Sequence, residues 1–265
     1  MKYKFLKNKG LFALLIAGAL LATSCDKEFA EPTVDATPFA YASIHNFALL
    51  TGGSSSVFVN DTLFKVANAN AAVAYGGSLF GNYIGLTPGD VKVGLRTSTG
   101  TVNYANRNIN LARNTNTSFF AYDTLTSTGT AKILALNNDM RTADTGTSNI
   151  RFLNFSPNAG PVNVVMTRTF NQFGLAATGT VNLANIPYIG ATASPNEAAL
   201  SAFSNIAAGT YSIVITSGTA TLLTVNNVAL RERKSYSIVL RGFTSARTSI
   251  PAGQTLGLSL ILHNP

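Results

Sequence analysis

The chain has few of the residues on which most catalytic and metal centres depend. It is 265 residues long and contains one cysteine, two histidines and no tryptophan. A single cysteine excludes an internal disulfide and every multi-cysteine metal cluster. Only 11% of the residues are charged, whereas 46% are hydrophobic. Disordered chains have the opposite balance, so this composition predicts a folded protein with a sizeable core.

Long hydrophobic runs are also lacking, with one exception near the N-terminus. Leu11 to Leu21 is an uninterrupted apolar run, and it follows a start that carries four lysines and no acid. A transmembrane helix needs about 20 apolar residues, and this run stops well short of that. The pattern is typical of a secretory signal, so we expect residues 1–24 to be a signal peptide.

The only cysteine lies at the end of this signal. Ala22-Thr23-Ser24-Cys25 resembles the lipobox of bacterial lipoproteins. The resemblance implies that Cys25 is the lipid attachment site, is acylated by chains such as palmitate, and becomes the new N-terminus. Several acyl chains on one residue satisfy the requirement for stable anchoring. The alternatives are an ordinary signal peptide followed by a buried cysteine, or an uncleaved anchor.

Residues 25–38 are predicted to be a flexible tether. They contain prolines and acids and show no apolar periodicity. Asp26 and Glu28, just after the cysteine, resemble the export signal of Bacteroidetes lipoproteins. This resemblance implies a lipid-anchored protein of the cell envelope, at the outer membrane, and leaves open whether it faces the periplasm or the outside.

Much of the net positive charge of the chain lies in the predicted signal peptide, which we also call the leader. The formal net charge is +8 and the isoelectric point is about 9.7. Without the four leader lysines, 15 basic and 11 acidic residues remain, which is a net charge of +4. These cations are scattered and form no basic stripe, which argues against a nucleic-acid partner.

From Phe39 onward the sequence predicts an all-β fold. Short apolar alternations are broken by Gly, Asn, Thr and Pro. Val91–Arg96, Tyr211–Thr216 and Tyr236–Arg241 alternate with period two, so each is predicted to be a half-buried antiparallel strand. Asn196–Phe203 is the main helix candidate.

Four pairs of segments repeat in the same order along the chain. They are Ile44–Phe47 with Phe152–Phe155, Pro88–Val93 with Ala208–Ile213, Asn108–Leu111 with Asn227–Leu230, and Ile133–Asn138 with Ser259–Asn264. A period above about 100 residues fits a whole sandwich domain. We therefore expect two tandem domains, a divergent copy at 39–144 and a clearer copy at 149–265.

The second copy resembles a known family. Asn149–Val165 is similar to the opening strand, turn and strand of the domain of unknown function 4397, and Ile206–Tyr211 and Lys234–Val239 resemble two of its later motifs. The resemblance covers most of Ile150–Asn264. It implies immunoglobulin-like or transthyretin-like antiparallel β-sandwiches in a secreted or surface-attached bacterial protein. The family has no established activity.

The residues that most often carry chemistry do not form a recognisable site. His45 and His263 have no acid near them in sequence, so a structural or surface role is predicted and no metal or catalytic residue is assigned. Asp139 and Asp144, beside Asn137 and Asn138, lack the calcium-loop spacing, so a solvated linker is favoured over a calcium site.

Three further motifs are weaker. Gly76–Gly85 lacks the phosphate-loop ending, and its Phe80 and Tyr83 either form an exposed loop for a sugar or protein or cover the end of a sandwich. Arg231–Lys234 is predicted to be a solvated hairpin tip. Asp61-Thr62-Leu63 and Asp123-Thr124-Leu125 resemble the O-glycosylation site of Bacteroidetes exported proteins.

The sequence therefore predicts a non-catalytic binding, adhesion or structural module with no cofactor. Its expected partners are the membrane, through lipidated Cys25, and a glycan or an envelope protein. The alternatives are a hydrolase with an unrecognised site and a passive spacer or accessory subunit of an envelope complex.

Overall fold

A computed structural model describes residues 38–49, 53–97, 102–125, 131–245 and 253–264. Pro38–Pro265 forms one compact unit. The predicted signal peptide, Cys25 and nearly all of the tether lie outside the described residues. Within the described part, no helix is long and apolar enough to cross a membrane.

Within the described residues, the compact unit has eleven strands in its first half and eight in its second half. Those of the first half are β1 (Ala40–Asn46), β2 (Ser54–Val59), β3 (Thr62–Leu63), β4 (Lys65–Val66), β5 (Ala69–Asn70), β6 (Ala72–Ala74), β7 (Ser78–Leu86), β8 (Gly89–Thr97), β9 (Asn103–Leu111), β10 (Asn116–Tyr122) and β11 (Lys132–Asn137).

The described part of the second half contains its eight strands and little helix. The strands are β12 (Thr147–Asn154), β13 (Val162–Asn171), β14 (Thr180–Ile186), β15 (Ser204–Ala207), β16 (Gly209–Ser217), β17 (Ala220–Leu230), β18 (Ser235–Arg241) and β19 (Gly257–Leu262). A 3-10 turn covers Ile189–Ala191, and helix α1 covers Glu197–Ser201, inside the predicted segment, with the Asn196 side chain as its N-cap.

The strands form four main sheets, and the same strand order recurs in both halves. The first half has an inner sheet, β11-β10-β1-β7, and an outer sheet, β3-β2-β8-β9, to which β6 is added beside β2. The second half has an inner sheet, β15-β12-β18-β19, and an outer sheet, β14-β13-β16-β17. The all-β class predicted from the sequence is confirmed.

The centre of each inner sheet is parallel, which the sequence did not predict. β1 pairs with β10 and β12 pairs with β18 in parallel, whereas the other pairings between these strands and their neighbours are antiparallel. Each sandwich is therefore only partly antiparallel.

Three hydrophobic clusters hold these layers together. One lies inside the first half and one inside the second half. The third lies between the two inner sheets and takes residues from both halves, including Phe120 and Leu136 from the first and Leu153 and Val239 from the second. We call this contact between the two inner sheets the junction.

The junction corrects the prediction for Tyr236–Arg241. β16 is half-buried as predicted, but every residue of β18 from Ser235 to Leu240 is buried. Tyr236, Ile238 and Leu240 face the core of the second half, while Val239 faces the junction. The alternating pattern implies one solvent-exposed face, but both faces of β18 are covered, so the strand is fully buried rather than half-buried.

The repeated segments occupy equivalent positions in the two halves. Gly89 pairs with Leu111 across β8 and β9, and Gly209 pairs with Leu230 across β16 and β17. Interpreting the halves as two copies, divided between 144 and 149, stays a prediction. The junction lies inside one compact unit, so the halves are parts of a single body.

Two buried tyrosines and two asparagines have local structural roles. The buried hydroxyl of Tyr211 donates to the Ala207 carbonyl oxygen at 2.6 Å, and that of Tyr236 accepts from the Arg231 backbone N–H at 3.1 Å. Asn46 and Asn154 each end an inner strand, because their Oδ1 atoms accept the backbone N–H two residues later at 3.1 Å.

Candidate functional site

Both histidines lie at the junction, and neither is on the surface. His45 is 1% exposed on β1, and His263 is 0% exposed just after β19. The structural part of the prediction fits this position, and the surface alternative is wrong. No pattern in the sequence indicates that the two histidines, one from each half, belong to a single buried network of hydrogen bonds.

The network begins at Arg151 on β12. Its Nε donates to Ser237 Oγ at 2.6 Å, and this hydroxyl lies 2.7 Å from His263 Nε2. Because a guanidinium has only donors, the Ser237 hydroxyl proton is directed to His263 Nε2. The proton of neutral His263 is then on Nδ1, from which it reaches the Tyr83 hydroxyl at 2.8 Å.

The same direction continues into the first half. The Tyr83 hydroxyl lies 3.1 Å from Ser118 Oγ, which lies 2.8 Å from Ser43 Oγ. The Ser43 hydroxyl lies 3.0 Å from His45 Nε2, and His45 Nδ1 lies 2.7 Å from Ser78 Oγ. The orientation set by Arg151 leaves His45 neutral with its proton on Nδ1. Each group of the network between Arg151 and Ser78 then has both a donor and an acceptor partner.

Asn138 joins the two halves of this network. Its Oδ1 accepts from Arg151 Nη2 at 2.7 Å, while its Nδ2 donates to the Tyr83 hydroxyl at 2.6 Å and to Ser118 Oγ at 2.9 Å. Asn138 is 7% exposed, so the predicted solvated linker does not begin until after it. The asparagine is therefore part of the junction, and its amide is fully used there.

Burial controls the charges in the junction. It lowers the pKa of His45 from 6.5 to about 3, with a smaller effect from the positive charge of Arg151. Burial also lowers the pKa of His263 well below 6.5 and that of Arg151 to about 10. The Arg151 guanidinium lies 4.7 Å from the ring centroid of Phe203 and 5.7 Å from that of Phe120, so aromatic faces take the place of a carboxylate.

The histidines contact hydroxyl groups, a guanidinium and aromatic rings. In the part of the chain that the structure describes, no Asp or Glu bonds to either histidine, and no group of three or more His, Cys, Asp and Glu side chains is placed to hold a metal ion. Hydrolysis by a histidine base needs access to water and substrate. The geometry supports a structural role, in which polar side chains fix how the inner sheets meet.

Two ion-paired clusters strengthen the junction near the surface. Glu197 of α1 pairs with both terminal nitrogens of Arg107 on β9, and its Oε1 also accepts the Ala135 backbone N–H at 3.1 Å. Asp123 accepts the Tyr188 hydroxyl at 2.8 Å and pairs with Lys132 at 3.0 Å. Both clusters tie a segment of the second half to the first half.

A cleft of about 380 Å³ lies on the open face of the first outer sheet. Asn106, Asn108 and Asn110 occupy alternate positions of β9 and are exposed, so their side chains line one face. On the adjacent strand, Lys92 is opposite Asn108 and Asp90 is opposite Asn110. We call this surface the asparagine cleft.

Several side chains around the asparagine cleft are held in place. Asp90 Oδ1 accepts from Asn110 Nδ2 at 2.8 Å, and Asn60 Oδ1 accepts the Lys92 backbone N–H at 2.8 Å. Lys92 Nζ lies 2.9 Å from Asp61, and this hydrogen bond lowers the pKa of the Asp61 carboxyl below its usual value. Among the described residues, Asn108 is left with no hydrogen bond from its amide, which is open to solvent.

The other predicted motifs have mixed outcomes. Neither reading of Gly76–Gly85 holds for Tyr83, which lies on strand β7 and has its hydroxyl in the junction. The Arg231–Lys234 segment is a turn between β17 and β18, as predicted, but it is not a hairpin tip, because these strands belong to different sheets. Asp139 pairs with Arg141, which leaves the calcium alternative without support in the described residues.

The two resemblances to O-glycosylation sites differ in exposure. Thr62 is exposed beside the turn at Asn60 and Asp61, whose positive φ angles suit a two-residue hairpin. Thr124 is only half-buried and bridges to Leu49. Modification at either threonine stays a prediction.

Sequence reasoning missed Arg151 and the asparagine cleft. A lone arginine within an apolar strand gives no sign of its partners, because those come from residues 13 to 112 positions away. The alternating Asn residues of β9 were visible as Asn106, Asn108 and Asn110 in the sequence, and their period of two was the signal that they share a face.

Comparison with protein families identifies one domain. Residues 48–165 match the family Domain of unknown function (DUF4397), so a domain of this family is present. The match covers most of the first half but only β12 and the start of β13 in the second. It therefore falls mainly in the half that was expected to be the more divergent.

Comparison with individual proteins adds little. No curated protein matches the chain. Among solved structures, it is similar to a "putative cell adhesion protein" from Bacteroides ovatus, with 9% identity over 85% of this chain and 98% of that chain and a TM-score of 0.25. A second protein of the same description, from Bacteroides uniformis, has 9% identity over 87% and 98% and a TM-score of 0.23. TM-scores this low carry no argument about function.

Proposed function

We propose that this chain, which contains a DUF4397 domain over residues 48–165, is a lipid-anchored binding module of the cell envelope whose partner is a glycan. The proposal rests on the asparagine cleft of the first outer sheet. The chain supplies the lipid anchor at Cys25, and the two sandwiches supply a rigid body that presents the cleft.

The chemistry of the cleft matches the hydroxyl groups of a saccharide. The amides of Asn108 and Asn110 offer both donors and acceptors, Lys92 offers an ammonium donor and Asp90 offers a carboxylate acceptor. Neighbouring sugar hydroxyls require such donor and acceptor pairs at short spacing. Because Asp90 and Asn110 already hold each other, part of the cleft is ordered before a ligand binds, which reduces the entropy cost of binding.

Glycan binding by an Asn108→Ala variant tests the proposal. We expect the unlipidated mature chain to bind one or more oligosaccharides on a glycan array and the variant to bind about tenfold more weakly, because one or two hydrogen bonds are lost. Asn182→Ala, at an exposed asparagine of the second outer sheet, is the matched control and should bind normally. An array on which the mature chain binds nothing, or unchanged binding by Asn108→Ala, would overturn the assignment.

The anchor has a separate test. Changing Cys25 to Ala removes the thiol that the lipobox resemblance marks for acylation, and we expect a wash at high salt and alkaline pH, which removes peripheral proteins, to release this variant but not the parent from the membrane fraction. Incorporation of labelled palmitate should disappear in the same variant. Retention of the variant after this wash would show that an uncleaved leader, and not a lipid, holds the protein.

The tightly packed junction also favours a second candidate, a passive spacer. The hydrophobic cluster shared by the two inner sheets and a buried polar network make the two halves one compact body. A spacer needs this rigidity but does not need Asn108. If the cellular role of the protein in the envelope is unchanged by Asn108→Ala and is lost only when the junction is disrupted, the results favour the spacer over the glycan-binding module.

A further inference from the structure

The loop between β13 and β14 carries the most exposed large hydrophobic side chain in the described part of the chain. Phe173 is 76% exposed and Leu175 is 64% exposed, while Phe170 at the base of the loop is 43% exposed. We call residues 170–176 the apolar tip. Two large apolar side chains that are so exposed in one short loop are unfavourable unless something covers them.

The apolar tip is a structured turn. Asn171 Oδ1 accepts the backbone N–H of Phe173 at 2.9 Å and that of Leu175 at 3.0 Å, and the Asn171 backbone N–H donates to the Leu175 carbonyl oxygen at 2.9 Å. Gly174 has φ +76, a conformation that favours glycine. The backbone of the tip is therefore already ordered, with Phe173 and Leu175 exposed. Binding through these side chains then loses little backbone conformational entropy.

A basic turn lies beside the apolar tip. Gln172 Nε2 lies 3.4 Å from Glu232 Oε2, which joins the tip to the Arg231–Lys234 turn. Glu232 also accepts the Gly146 backbone N–H at 2.9 Å, so its carboxylate is occupied inside the structure. Arg231 and Arg233 are exposed and Lys234 is partly exposed. Apolar side chains rimmed by three cations are complementary to an anionic lipid surface.

The N-terminal segment of the compact unit leaves from the same end. Phe47 and Phe155, which follow β1 and β12, stack 5.6 Å apart, and Asn138, beside the start of β10, bonds Arg151 on β12. β1 and β12 therefore run in the same direction, and their starts lie together. The start of β12 bonds the basic turn, because Arg233 N–H donates to the Thr147 carbonyl oxygen at 2.8 Å.

The length of the preceding chain fits this placement. Twelve residues lie between Cys25 and Pro38, and the fully extended segment from one to the other spans at most about 45 Å. A lipid at Cys25 would keep this end of the body near the bilayer.

We propose that the apolar tip and the adjacent basic turn bind the surface of an anionic lipid bilayer, with Phe173 and Leu175 inserted among the lipids and Arg231, Arg233 and Lys234 against the phosphate groups. The tip thereby sets the orientation of the body on its own membrane. The inference rests on the proposed anchor at Cys25, which brings the bilayer within reach.

Vesicle binding by the mature chain with Cys25→Ser tests the tip without the lipid. We expect this chain to float with vesicles of equal parts phosphatidylcholine and phosphatidylglycerol, and the Phe173→Ser, Leu175→Ser double variant to bind about tenfold or more weakly. Replacing Arg231, Arg233 and Lys234 by Gln should remove the preference for these vesicles over pure phosphatidylcholine. Val102→Ser, at another exposed apolar residue (50%), is the matched control and should bind normally.

Three results of these experiments would contradict the proposal. Vesicle binding that is absent in the parent chain, or unchanged in the double variant, removes the membrane as the partner of the tip. Sedimentation that shows a dimer in the parent chain and a monomer in the double variant assigns the tip to a second copy. Because Cys25 is already replaced in every sample, failure here is distinct from failure of the lipid anchor or of glycan binding.

Discussion

At the scale of single residues, the junction shows how a cation can be buried without an acid. Arg151 is 5% exposed, and its partners are a serine, an asparagine and two aromatic rings. A buried charge of this kind makes the protein less stable than an apolar side chain of similar shape would. It does, however, fix the direction of the hydrogen bonds in the network. The benefit of Arg151 is a defined alignment of the two inner sheets.

The buried histidines make stability depend on pH. The unfolded chain protonates its histidines near pH 6.5, whereas in the folded protein the pKa of His45 is about 3 and that of His263 is also strongly lowered. The histidine contribution to stability is therefore fully present above pH 6.5 and is lost as the pH falls towards 3. We expect the free energy of unfolding to fall by up to about 1.4 kcal/mol per pH unit for each histidine.

Urea unfolding at pH 7, 6 and 5 measures this slope above the range where carboxylates titrate. His45→Asn and His263→Asn should each reduce the slope by about one proton. Asn138→Ala disturbs the same network without removing a titrating group, so it should lower stability and keep the slope. Histidine variants that retain the full slope would show that other groups take up the protons.

At the scale of elements, some strands were predictable and others were not. β8 and β16 follow their alternating patterns, because each has one face in a core and one in solvent. β18 has the same kind of pattern, but its second face is made of Ser235, Ser237 and Val239. Serines are compatible with either solvent or a polar junction, so the local sequence does not distinguish the two. Whether this face of β18 is buried depends on the inner sheet that packs against it, which comes from the other half of the chain.

The glycine corners that start β8 and β16 provide a matched pair. Gly209 has φ +155, and an added Cβ would lie 2.2 Å from the Phe170 carbonyl oxygen, whereas Gly89 has φ +113 and no atom within 4 Å of such a Cβ. We expect Gly89→Ala to cost about 1–3 kcal/mol of stability from backbone strain. Gly209→Ala should cost at least about 1 kcal/mol more, because the clash involves backbone. Denaturant titration of both variants checks the difference, and equal costs would contradict it.

At the scale of the whole molecule, the junction decides how the halves behave. The sequence predicted the all-β class and the recurring segments, but it did not predict that the two inner sheets cover each other. Phe47, Phe120, Leu153 and Phe155 were visible only as apolar residues, and their burial between the halves depends on contacts between distant strands. The asparagine cleft was more accessible to prediction, since Asn108 and Asn110 of its lining alternate within one strand.

The shared cluster predicts cooperative unfolding. If the halves separated, each would expose the apolar face that the junction buries, so we expect one calorimetric transition with equal van't Hoff and calorimetric enthalpies. Phe155→Ala should lower the free energy of unfolding by about 3–5 kcal/mol, because Phe155 is 0% exposed and stacks on Tyr122 at 5.3 Å. Phe155→Leu is the milder control. Two separate transitions in the unsubstituted protein would show that the junction is weak.

The parallel pairing inside each inner sheet also affects how quickly the protein reaches its native state. Ser43 meets Ser118 from 75 residues away, and Arg151 meets Ser237 from 86 residues away. Forming contacts between such distant residues requires closing large loops, and the entropy cost of closure precedes the favourable contact energy. Chains dominated by such contacts fold in milliseconds to seconds. β1 and β12 therefore lack their parallel partners until β10 and β18 have been synthesised and have reached them. A chain that crosses a membrane from its N-terminus would pass through this period after export, when it is most prone to aggregate.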